Sequence, residues 1–87
     1  MIEFKGDKSK IEFNNAIYFP EVLGQAVEDY SSAFKIKLIK EGLFSFVVID
    51  FSGCSENSVE ITHEFCNYAL ALMKDKFVES AHYVKNG

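Results

Sequence analysis

Phe34-Lys35-Ile36-Lys37-Leu38, then Glu41-Gly42, then Leu43-Phe44-Ser45-Phe46-Val47-Val48-Ile49-Asp50-Phe51: the two apolar patterns in this stretch decide the fold. The first segment alternates strictly, so it predicts a strand with one wet face. Glu41-Gly42 reads as a tight turn. The second segment is nearly unbroken in its apolar character, with Ser45 the only polar residue before Asp50. Such a run predicts a strand in mid-sheet with both faces largely covered.

Upstream, Ile2 to Phe4 and Lys10 to Phe19 read as strands, and the turn-forming cluster Gly6-Asp7-Lys8-Ser9 between them predicts a hairpin. Pro20 suits the first turn of a helix, where its missing N–H leaves no bond unmade. Val22, Leu23, Ala26, Val27 and Tyr30 share one face of that helix, and Ser31-Ser32 ends it. Downstream, Asp50 to Asn57 forms a connecting loop. Asn57 with Glu60 resembles a capping box at the start of a second helix, Ser58 to Val78, with a buried stripe of Ile61, Phe65, Ala69, Leu72, Met73 and Phe77. Ala81 to Val84 is an optional closing edge strand. The order strand, helix, strand, strand, helix is that of a ferredoxin-like α+β sandwich, with an extra N-terminal hairpin and both helices on one face of the sheet.

A chain of 87 residues, 48% hydrophobic, is one domain near the lower size limit for an independent core. Small scaffolds run short of burial, so a homodimer or a docked protein partner is expected. The net charge of −4 argues against a general nucleic-acid binder. All nine basic residues are Lys, which withholds the bidentate fork of Arg from carboxylate or phosphate recognition. Lys5, Lys8, Lys10, Lys35, Lys37 and Lys40 suggest a mildly basic sheet edge opposite an acidic helical side, or simply solvated faces that keep edge strands from aggregating. Two cysteines, Cys54 and Cys66, do not make a secreted disulfide framework and are expected to be reduced. Met1 to Lys5 lacks an apolar signal core and no run is long enough to span a bilayer, so a cytoplasmic location without membrane contact is expected.

Chemistry-bearing residues are sparse. His63, Cys66, Cys54 and His82 make a formal four-ligand set, yet they include no CxxC knuckle, and Cys66 falls towards the apolar stripe, as a structural thiol does. Cys54 precedes a helix N-terminus, a place that lowers a thiol pKa, but no basic residue stands near it in sequence. Asp50, Glu56, Glu60 and Glu64 read as solvated charges rather than a carboxylate pair. The loop Ser52-Gly53-Cys54-Ser55 before a helix suits an anion, although it lacks the glycines and Lys of a P-loop. Asn67 is an amide on a helix that is apolar over most of its girth, so it either hydrogen-bonds a partner or ties down a neighbouring loop.

Ala26-Val27-Glu28-Asp29-Tyr30, Ala33-Phe34-Lys35-Ile36-Lys37-Leu38 and Glu64-Phe65-Cys66-Asn67-Tyr68-Ala69-Leu70 together resemble the small accessory protein of His-Xaa-Ser peptide-maturation systems, over residues 11 to 80. Lys74 and Lys76 stand where that family carries an Arg-containing stretch. The resemblance implies a non-catalytic partner of radical S-adenosylmethionine enzymes that modify a ribosomally made peptide. A second likeness, Val47-Val48-Ile49-Asp50-Phe51-Ser52-Gly53, is similar to the strand and loop of anti-sigma-factor antagonist (STAS) domains, which place a phosphorylatable Ser where Ser55 or Ser58 stands here. Two functions follow as expectations. One is an adaptor for a protein or peptide, docking through Asn67 and Tyr68 on the helix or through Lys35 and Lys37 at the sheet edge. The other is a dimeric ligand-binding or regulatory domain using Ser52, Gly53, Ser55 and Ser58. Neither assigns a catalytic residue, a metal ligand or a cofactor.

Overall fold

Both hairpin turns of the sheet are closed by two residues, the first of them a glycine at positive φ. Gly6 (φ 60°) joins Lys5 to Lys8, and Gly42 (φ 59°) joins Glu41 to Phe44. No non-glycine residue has positive φ, so the residue after each glycine does not, and this is the pattern of a type II′ turn. The structure, a computed structural model, describes the backbone of residues 1–86 and the side chains of residues 1–78. Its elements in chain order are β1 (Ile2–Lys5), β2 (Lys8–Asn14), α1 (Pro20–Tyr30), β3 (Lys35–Glu41), β4 (Phe44–Asp50) and α2 (Ser58–Asn86).

The sheet order is β1-β2-β4-β3, with every neighbouring pair antiparallel. Strands β2 and β3 both run against β4, so they are parallel to each other and joined by α1 across the intervening strand. That is the split β-α-β unit expected of a ferredoxin-like α+β sandwich. In the usual arrangement a strand after the second helix returns to lie beside the first strand of that unit. Here β1 of the N-terminal hairpin fills that place, and the optional closing strand does not form: Ala81 to Val84 continue α2. With the sheet position already occupied, the chain has no ladder partner to reach, and helix propagation adds one bond per residue.

The core lies between the sheet and the two helices. Ile11 and Phe13 of β2, Val47 and Ile49 of β4, Leu23 and Ala26 of α1, and Phe65 and Ala69 of α2 are buried together with Phe51. Phe65 meets Tyr30 edge-on at 5.0 Å and Phe13 at 6.4 Å between ring centroids. Both expected helical faces are those that pack, with one exception: Phe77 is 56% exposed and only leans on Phe19. Met73 is the last buried described residue of α2, so the helix runs on past the sheet it packs against.

Two polar links inside this core went unread in the sequence. Thr62 Oγ1 lies 2.9 Å from Ser9 Oγ and 2.7 Å from the carbonyl of Ser58, with both Thr62 and Ser9 fully buried. A carbonyl only accepts, so the Thr62 proton goes there and Ser9 donates to Thr62. Ser45, the interruption in the apolar run of β4, donates to Asn15 Oδ1, and Asn15 Nδ2 in turn donates to the Gly42 carbonyl. Asn15 thereby ties the end of β2 to the β3–β4 turn.

Candidate docking surface

Alternation along β3 separates two sets of side chains. Ile36 and Leu38 pack partly buried against the core on the helix side, so Lys35, Lys37 and Ile39 occupy the other face. The register carries this across the sheet. Lys8, Asp50 and Lys35 form one row, Lys10, Val48 and Lys37 the next, then Glu12, Phe46 and Ile39, and last Asn14, Phe44 and Glu41. Lys5 extends the first row and Glu3 the second. No helix covers this face. The expectation that β4 has both faces covered is therefore corrected: Ser45, Val47 and Ile49 are buried, whereas Phe44 stands 37% exposed and Phe46, Val48 and Asp50 are half-buried. Its central position and flanking lysine stems, which lie along apolar surface while keeping their charge in water, account for its apolar character on the open side. Lys10 Nζ sits 4.5 Å above the Phe46 ring.

Five of the six lysines assigned from sequence to a basic edge are thus gathered on one face, towards one end of it. Lys40 lies on the helix side, opposite Ser45. A shallow groove of about 310 Å³ runs at that end, lined by Lys8, Lys35, Ile36, Lys37, Val48 and Asp50. The Asp50 carboxylate accepts from the Ser52 N–H at 2.9 Å, and this bond, together with Lys8 and Lys35, holds its pKa below the usual aspartate value. Among the described residues the only ion pair within 4 Å is Lys76 with Glu21, so none of the five lysines is committed to a carboxylate. Strand β3, seven residues long, forms one border of the sheet and pairs only with β4.

The helix residues singled out from sequence lie elsewhere. Asn67 is exposed on α2, in the layer on the other side of the sheet from Lys35 and Lys37, so the two pairs of candidates do not form one surface. Tyr68 is half-buried and donates to Asp29 of α1. That bond, chiefly, raises the pKa of its phenol. Tyr68 therefore belongs to the α1–α2 contact, its ring tilted by 48° against that of Tyr30 with the centroids 5.5 Å apart.

The loop before α2 holds Gly53 at φ 75° and exposes Ser52, Gly53 and Ser55, with Ser58 half-buried at the helix start. Several of its donors already have partners. Ser52 N–H goes to Asp50, Glu56 N–H to the Cys54 sulfur at 3.4 Å, and Glu60 N–H to Asn57 Oδ1 at 3.1 Å, the last being the Asn57 half of the expected capping box. An anion in this loop would also face the Asp50 carboxylate. Both cysteines are free and half-buried; burial pushes the Cys66 thiol up. The side chain of His82 lies outside the described residues, and among those residues no three His, Cys, Asp or Glu side chains converge. No described helix is long and apolar enough to cross a membrane. Comparisons with protein-family models, curated proteins and solved structures found no match to this chain.

Proposed function

We propose that this protein is a non-catalytic adaptor that docks a partner protein or peptide on the β3 border of its sheet, and that the partner is a radical S-adenosylmethionine enzyme of peptide maturation or its peptide substrate. The single observation that supports the docking part is the seven-residue edge strand β3, uncovered on its outer side and bordered by the uncommitted Lys35 and Lys37. Soluble domains usually blunt such an edge with charged side chains, short strands, bulges or covering elements, and of these devices β3 uses only its lysines. Its pairing with β4 runs without a bulge from Lys35 to Glu41. The peptide-maturation part is supported by the resemblance of the α1, β3 and α2 segments.

Capture of a co-expressed radical S-adenosylmethionine enzyme by the tagged chain tests the reading. The Lys35→Glu/Lys37→Glu variant is expected to lose capture, whereas Asn67→Ala retains it. Asn67 is exposed and Ala is the better helix former, so that variant should match the parent in stability to within about 0.5 kcal/mol. Capture lost with Asn67→Ala and kept with the lysine variant would move the docking surface to α2.

A further inference from the structure

We infer that the occupant of the β3 edge is an extended segment in which acidic and apolar residues alternate, added as a fifth strand. This rests on the docking surface proposed above and names the chemistry of its partner. A strand laid beside β3 sits about 4.8 Å away and alternates its side chains between the same two faces. On the open face its residues stand beside Lys35 and Lys37, at the mouth of the groove that Lys8 also lines; Lys8 and Lys10 belong to β2, two strands further in. On the helix face they stand beside Ile36 and Leu38, which are only partly buried and continue the core to the border of the sheet. Carboxylates on alternate residues therefore meet uncommitted ammonium groups, and apolar side chains on the others complete the cover over Ile36 and Leu38. The free backbone groups of β3 supply the ladder bonds.

Charge decides against other occupants. A basic strand would set like charges directly opposite one another, which destabilises a cross-strand pair. A nucleic-acid strand would find the lysines, but also Asp50 between Lys8 and Lys35, and Glu12 and Glu41 at the far end of the face.

The test is fluorescence anisotropy with a labelled, end-blocked peptide of alternating Val and Glu, and a control in which Lys replaces Glu. The Glu peptide should bind, and the Lys peptide should bind more weakly by about fivefold or more, since each opposed pair contributes a measurable cross-strand energy. In Lys35→Glu/Lys37→Glu the order of the two peptides should reverse, while the far-ultraviolet spectrum is unchanged. Methylating the backbone nitrogens on one edge of the Glu peptide should abolish binding, and hydrogen exchange at β3 amides should slow when the unmodified peptide is added. Equal affinity for the two peptides, or binding that survives methylation, overturns the inference. So does a failure to saturate below about 1 mM, or tighter binding of a single-stranded oligonucleotide. Protection of β3 that rises with protein concentration in the absence of peptide would assign the edge to a second copy, and overturns it as well. Loss of enzyme capture with peptide binding intact would remove the adaptor reading alone; capture that depends on Lys35 and Lys37 without peptide binding would remove this one alone.

Discussion

Replacing Thr62 with Val should destabilise the protein through a residue that is not itself changed. Thr62 and Ser9 are both fully buried, and Ser9 has the Thr62 hydroxyl as its hydrogen-bond partner. Val is nearly isosteric with Thr, so little packing is lost. Ser9, however, is left with a buried O–H and no acceptor, at a cost of about 1–3 kcal/mol. The converse change differs in kind: in Ser9→Ala the Thr62 proton still reaches the Ser58 carbonyl at 2.7 Å, so no buried donor is orphaned. Ser9→Ala should therefore cost about 1 kcal/mol or less, and Thr62→Val made in that background should cost about 1–2 kcal/mol less than in the parent. Urea unfolding followed by circular dichroism measures all four corners of the cycle. With a slope of about 1 kcal/mol/M for a small domain, the Thr62→Val midpoint should fall by about 1 M or more. Additivity of the two changes to within about 0.5 kcal/mol would refute the reasoning, because independent sites add to that margin.

Phe65→Ala should cost about 3–5 kcal/mol, because the ring is wholly buried between Tyr30 and Phe13; an unchanged thermal midpoint would contradict this packing. Cys66 should react more slowly with a thiol reagent than Cys54 in the native protein, since burial raises its pKa and reduces the thiolate present; mass spectrometry of partly labelled protein reads the order, and faster labelling of Cys66 would count against it. Tyr30, by burial, and Tyr68, by its bond to Asp29, have raised phenol pKa values. Their neutral forms are favoured by folding, so this contribution to stability is complete below the ordinary tyrosine pKa and is lost as pH rises through the raised values. Tyrosinate absorbance should accordingly show part of the phenols titrating late in the folded protein, and Tyr68→Phe should remove some of that delay.

Much of the architecture was legible because it depends on local periodicity. The alternation of Phe34 to Leu38, the turn at Glu41-Gly42, the apolar run to Phe51 and the 3.6-residue repeats of both helices each bury one face or end one element wherever the chain folds. Three things were not legible. The closing strand left open at Ala81 to Val84 depended on a vacant place beside β2, and only the sheet order shows that β1 holds it. The covered second face expected for β4 depended on what lies above the sheet, which an apolar run does not report when its outer side chains are shielded by lysine stems from neighbouring strands. The candidate site was readable as types and not as a place. Lys5, Lys8, Lys10, Lys35 and Lys37 are evident as a basic set, yet they become one face only through the β2–β4–β3 register, and the same register leaves Asn67 and Tyr68 in the other layer. Sequence spacing fixes which side chains share a face within one element; which faces of different elements meet is set by long-range pairing, and that is known only once the sheet is assembled.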